Sequence, residues 1–131
     1  MTIPNASRII AHRGASAYAP ENTLAAFELA VDMGATKIEL DVDVTRDGHL
    51  VVMHDPRVDR TTDGVGWVRD FTLAELRALK CDRGFEGQFA RDVTYAPTLA
   101  EVLAFARERN VWVNIETKDF TSSFSAVNDR V

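Results

Sequence analysis

Cysteine is nearly absent from this chain, with Cys81 the single one in 131 residues. One thiol can form neither an internal disulfide nor a Cys-rich zinc site, so the fold must rest on a hydrophobic core, in which Cys81 is expected to be a small buried or surface residue. No run of about 18 apolar residues occurs, and there is no signal-peptide core, so no stable membrane insertion is expected and a cytoplasmic protein is predicted. An excess of positive charge is missing too. Twenty acidic residues against 15 basic ones give a formal charge of -5, which argues against nucleic acid as a partner and suits carboxylates committed to a cation. A glycine-rich phosphate loop is also lacking, because the Gly64-Val65-Gly66 segment has neither the further glycine nor the preceding strand of a dinucleotide fingerprint.

What the chain does have is ordinary globular composition, 46% apolar and 27% charged, at a length that fits one domain. Ile9 to His12 reads as a short buried strand closed by Arg13-Gly14. Leu24, Phe27 and Val31 recur at helical spacing behind Pro20 and Asn22 or Thr23, and Gly34 is placed to end a helix over about 23–33. From Lys37 to Val44 apolar and acidic residues alternate, putting Glu39, Asp41 and Asp43 on one face of a strand. Asp47-Gly48 marks a turn before the strand Leu50 to Met53, which ends at His54-Asp55. A two-residue hairpin there would pair Asp41 with His54 on one face; an extended connection into a parallel strand is the alternative.

Residues 57 to about 96 are rich in Gly, Asp and Arg and read as a lobe inserted over the strand ends, with one helix begun by the capping box Thr72-x-x-Glu75. A second capping box, Thr98-x-x-Glu101, starts a helix that stops near Asn110. Val111, Val113 and Ile115 then alternate with Trp112, Asn114 and Glu116 along a last strand, and TSSFSAVNDRV reads as a loop or helix start. Strand and helix alternate, the order of an α/β fold.

His12, Glu39, Asp41, His54 and Glu116 all fall at or near C-terminal ends of these strands, where α/β folds place ligands and catalytic groups. Three carboxylates suit an oxygen-loving divalent cation, Mg²⁺ or Ca²⁺, better than zinc. Each residue also has a plain structural reading. Glu39 and Asp41 could belong to a solvated strand face, the histidines could be structural, and Glu116 could pair with Lys118. Asp43, Asp47, Asp59 and Asp63 are assigned to turns or solvated positions, and Phe27, Phe105 and Trp112 to packing.

The series HRG…PENT, E-x-D, HD and E-x-K, carried by AHRGASAYAPENTLAAFELAVDMGATKIELDVDVTRDGHLVVMHD and TLAEVLAFARERNVWVNIETK, resembles the glycerophosphodiester phosphodiesterase family from about residue 8 to 118. The resemblance implies a TIM-type (β/α)8 barrel of the phospholipase C-like kind, here its N-terminal half, that hydrolyses glycerophosphodiesters to glycerol 3-phosphate and an alcohol. It implies Glu39, Asp41 and Glu116 as metal ligands, His12 and His54 as the acid/base pair, and Arg13 and Lys118 as phosphate holders. Asp55 would support His54, and Asn22 would shape the first loop. The attacking group implied is the substrate's own glycerol hydroxyl, through a cyclic phosphate. A complete barrel takes about 250 residues, so a second reading is a non-catalytic half-barrel that binds metal or phosphate or assembles with a partner, with self-association through unpaired strand edges. The same barrel and HRG-type opening also resemble phospholipases of the sphingomyelinase D kind.

Overall fold

The molecule is described here as a computed structural model, covering residues 8–117. Its centre is the acidic alternating segment. Strand β2, Lys37–Val44, hydrogen-bonds along one side to the short parallel strand β1, Ala11–His12, and further along to the antiparallel strand β3, Leu50–Val52. Its other side pairs in parallel with β4, Trp112–Thr117. Helix α1, Leu24–Asp32, makes the crossover from β1 to β2 that parallel neighbours require, and α2, Leu73–Arg77, and α3, Leu99–Arg109, lie between β3 and β4.

Local signals explain the helix ends. Thr23 caps α1 by accepting from the Ala26 amide, and Gly34 follows at φ +102°. Both predicted capping boxes form, Thr72 with Glu75 on α2 and Thr98 with Glu101 on α3, each contributing about 1 kcal/mol. Asn110 ends α3 in the left-handed conformation that asparagine tolerates. Phe27 and Ala30 of α1, Leu99 and Val102 of α3 and Ile38, Leu40, Val42 and Val44 of β2 bury against one another in the main core. A second cluster joins Val51 and Met53 to Val58, Val68, Leu76, Cys81 and Ala96, so the 57–96 segment has its own small core seated on β3.

Four expectations need correction. Only Ala11 and His12 form β1, and Ile9 and Ile10 are exposed rather than buried. Every residue of β2 from Ile38 to Val44 is buried, so Glu39, Asp41 and Asp43 do not lie on a solvated face. Asp43, assigned to solvent, is 1% exposed and accepts from Arg69 Nε at 3.1 Å, a bond that ties the 57–96 segment to β2. Trp112, assigned to packing, is 76% exposed at the start of β4.

The hairpin register also differs from the two-residue reading. The Thr45 amide donates to the His49 carbonyl at 2.9 Å, leaving Arg46, Asp47 and Gly48 in a three-residue loop with Gly48 at φ +85°. Thr45 Oγ1 pins it by donating to Asp47 Oδ1 at 2.7 Å and accepting from the His49 amide at 2.9 Å. Val44 therefore faces Leu50, and the Met53 amide reaches the Asp41 carbonyl at 3.0 Å. His54 is one residue out of line with Asp41. A slip of one residue exchanges the faces of a strand, so the two side chains are not cross-strand partners. The antiparallel pairing likewise excludes an extended connection into a parallel β3.

Candidate active site

The loop after β1 is built from unusual backbone. Arg13 and Gly14 are consecutive left-handed residues at φ +57° and +83°. A Cβ at Gly14 would stand 2.7 Å from the Ala26 backbone, so only glycine lets the loop lie this close to α1. The Arg13 amide donates to both the carbonyl (3.0 Å) and the Oε2 (3.2 Å) of Glu39. Asn22, also left-handed at φ +57°, closes the loop by donating its amide to the Arg13 carbonyl at 3.0 Å.

These turns aim polar groups at the buried acids of β2. Asn22 Nδ2 donates to Asp41 Oδ2 at 3.1 Å, and Arg13 Nε lies 3.3 Å from the same oxygen. Registry between β2 and β4 sets Asp41 opposite Glu116. One carboxylate oxygen from each of Glu39, Asp41 and Glu116 then falls within 4.8 Å of the other two. Burial first, then the negative charges of Asp41 and Glu116, raise the carboxyl of Glu39 above its ordinary value, against a lowering bond from the Arg13 amide. Three carboxylates gathered where two of them are buried fit a hard divalent cation, which would relieve this repulsion.

The two histidines reach this region differently. His12 Nε2 lies 3.8 Å from Glu39 Oε2, and its side chain is 66% exposed. His54 is 27% exposed, and its Nδ1 lies 2.7 Å from Asp55 Oδ1. A carboxylate only accepts, so Nδ1 is the donor here and Nε2 is the nitrogen left to face other groups. The Arg60 guanidinium, followed by the His54 bond, holds the Asp55 carboxyl down to about 2 against the raising effect of burial.

Two side chains outside the sequence-based candidates join the network. Arg60 donates twice to Asp55 and twice to Glu21, and Glu21 Oε1 accepts from Arg13 Nη1 at 3.1 Å. Burial alone would raise the Glu21 carboxyl, but Arg60 and Arg13 outweigh it and hold it below the usual range. Glu21 lies in the PENT segment and Arg60 in DRTTDG, both quotable from sequence, but a pair 39 residues apart offers no spacing signal. Lys118 lies outside the described residues, as do its pairing with Glu116 and the TSSFSAVNDRV segment.

Parallel strands flanked by helices, with a carboxylate cluster, an arginine and histidines near the strand ends, define an α/β protein with a group of carboxylates that could hold a metal ion. The chain belongs to the glycerophosphoryl diester phosphodiesterase family, whose model matches residues 12–131. It is 46% identical over 123 residues to a glycerophosphodiester phosphodiesterase of Caldanaerobacter subterraneus, covering 94% of this chain and 50% of the relative. A crystal structure of a glycerophosphodiester phosphodiesterase from Agrobacterium tumefaciens is similar at a TM-score of 0.79 and 42% identity, over 86% of this chain and 48% of that one. An Oleispira antarctica phosphodiesterase in complex with the product sn-glycerol-3-phosphate is similar at a TM-score of 0.76 and 40% identity, over 83% of this chain and 43% of that one. The chain spans about half the length of the relatives it matches, and its fold is the N-terminal part of a TIM-type barrel. Among the described residues no helix is long and apolar enough to cross a membrane.

Proposed function

We propose that this protein takes part in hydrolysing glycerophosphodiesters to glycerol 3-phosphate and an alcohol, with a divalent cation, Mg²⁺ or Ca²⁺, held by Glu39, Asp41 and Glu116. The observation that carries the reading is the meeting of those three carboxylates with Arg13, fixed beside Asp41 by two left-handed turns. A phosphodiester is anionic, and the cation supplies positive charge against it. Arg13 and Lys118 add more, which lowers the barrier to an oxygen nucleophile. The Arg13 guanidinium is oriented by Glu21 and Asp41, so little of its freedom remains to be lost when phosphate arrives.

His12 and His54 are the acid/base pair. One imidazole takes the proton of the attacking hydroxyl, which on this reading is the substrate's own glycerol hydroxyl; the other protonates the departing alkoxide. Asp55 fixes the tautomer that leaves His54 Nε2 available, and Asn22 holds the first loop onto Asp41. Residues 1–131 are read as a partial barrel domain in which about 57–96 is an inserted lobe covering the strand ends. Self-association through strand edges is part of the same proposal, and light scattering on the purified chain tests it: a monomer at all concentrations would refute it.

The experiment that tests the function is release of glycerol 3-phosphate from glycerophosphocholine with Mg²⁺ or Ca²⁺, repeated after EDTA. Activity that stops with chelator and returns with metal is expected. Undiminished hydrolysis by verified metal-free protein would sink the metal role, and no hydrolysis of any glycerophosphodiester would sink the substrate class.

A further inference from the structure

The acid/base and phosphate roles above leave Arg60 without a task, although it sits between the two halves of the site. We propose that Arg60 is a positioning residue that orients His54 and Arg13 together, acting through Asp55 on one side and Glu21 on the other. What the two held groups accomplish rests on the phosphodiesterase reading; the holding itself does not.

The geometry is a double fork. Arg60 Nε donates to Asp55 Oδ2 at 2.8 Å and Nη2 to Asp55 Oδ1 at 3.1 Å, while Nη1 and Nη2 donate to Glu21 Oε2 and Oε1 at 2.9 and 2.7 Å. Nη2 thus bridges the two carboxylates. Asp55 Oδ1 is also the acceptor of His54 Nδ1 at 2.7 Å, and Glu21 Oε1 is also the acceptor of Arg13 Nη1 at 3.1 Å. The planar guanidinium therefore makes the orientations of His54 and Arg13 depend on one another, although Asp55 follows β3 and Glu21 precedes α1. An ordinary surface ion pair would be worth little, but bidentate contacts on both sides fix angles as well as distances. Lysine could not reproduce them, having a point charge on a flexible stem.

Two substitutions in the protein test this, Arg60→Gln and Arg60→Lys, each read by turnover and by the downfield proton resonance of His54 Nδ1–H. That resonance is assigned by its loss in His54→Gln, and it survives exchange with water only while the bond to Asp55 stays closed. Arg60→Gln is expected to lower kcat about 10- to 10²-fold with a smaller change in KM, the usual scale for a group that orients a histidine, and to broaden or erase the proton signal. Arg60→Lys should restore little of either. Combined with Asp55→Asn, the loss should be smaller than the product of the two single losses, as for groups in one network. Should Arg60→Gln fail to fold, the lysine variant still reads both signals. A proton signal that persists in the variants, with or without a fall in kcat, would overturn the proposal. A signal lost in a protein that hydrolyses no glycerophosphodiester would leave the positioning role standing and overturn the phosphodiesterase reading instead.

Discussion

His54 hangs on side chains: Asp55 holds its Nδ1, Arg60 holds Asp55, and Glu21 holds Arg60. His12 hangs on backbone. Its own side chain is mostly exposed beside Glu39, whereas the residues that follow it are locked by the Arg13 amide on Glu39, by two left-handed conformations and by the contact of Gly14 with Ala26. The difference teaches where each half of the site is vulnerable. Charge substitutions should disturb His54, and a single added methyl group should disturb His12.

The largest effect expected is the loss of either imidazole. His12→Ala and His54→Ala should each lower kcat about 10² to 10⁴-fold, the usual worth of a positioned acid or base, with less change in KM. Near-parental turnover in one variant would break the symmetry of roles and return that histidine to a structural part. Next comes the contrast in stability. Gly14→Ala must place a side chain at φ +83° and 2.7 Å from the Ala26 backbone, which should cost about 3 kcal/mol in urea denaturation. Asp55→Asn, in a partly exposed ion network, should cost about 1 kcal/mol or less at neutral pH. Equal costs would erase the distinction between backbone and side-chain fastening.

Acid should separate the two halves further. Asp55 is held down to about 2 by Arg60 and His54, so its folded value lies below its unfolded one. Its stabilisation is complete above the unfolded value and fades as pH falls from about 4 towards 2. Glu39 runs the other way. Burial, Asp41 and Glu116 raise it, so its ionised form opposes folding at neutral pH, and protonation relieves the strain as pH falls towards its raised value. Glu39→Gln should therefore melt at a higher temperature than the parent when both are metal-free, yet gain less from added Mg²⁺ or Ca²⁺. Thermal melts with and without metal check this; a lower metal-free melting temperature would show that the Arg13 bond outweighs the repulsion.

Much of this fold could be read because it is set by near neighbours in sequence. Alternation over Lys37–Val44 defined β2, and two capping boxes placed the starts of α2 and α3. Periodicity also put Glu39 and Asp41 on one face of β2 and Glu116 near the end of the last strand, while their grouping as one ligand set rested on the family resemblance and their closeness on the pairing of Asp41 with Glu116. Apart from one local turn, what escaped reading was set by partners distant in the chain. Asp-Gly suits both a two- and a three-residue hairpin, and the bonds of Thr45 with Asp47 and His49 select the longer one. Alternation alone gives a strand with one wet face; Arg69, 26 residues away in the chain, reaches Asp43, a buried acid. Arg60 and Glu21, 39 residues apart, carry no spacing signal, and only the fold brings them together.

The smallest expected effect concerns the lobe and separates it from the site. Cys81 is buried in the second core with Val51, Val68 and Leu76, and its amide donates to the Thr94 carbonyl at 2.8 Å. Burial pushes its thiol up to about 12, with nearby Arg91 opposing the rise and Asp63 and Asp82 adding to it. The raised value means that the thiol form favours the folded state up to the ordinary thiol range, and that this advantage is lost as pH climbs from there towards 12. At pH 8 the thiolate, which is the reactive species, is therefore strongly suppressed relative to an unfolded thiol. A maleimide or disulfide reagent should leave Cys81 untouched for as long as the lobe stays closed and react at once in 8 M urea. Adding Mg²⁺ or Ca²⁺ should change the native labelling rate little, because Cys81 belongs to the lobe's core rather than to the carboxylate cluster. Rapid labelling of the native protein would show that residues 57–96 open without the rest of the molecule, and a rate strongly slowed by metal would couple the lobe to the site more tightly than the bonds of Arg69 to Asp43 and of Arg60 to Glu21 and Asp55 account for.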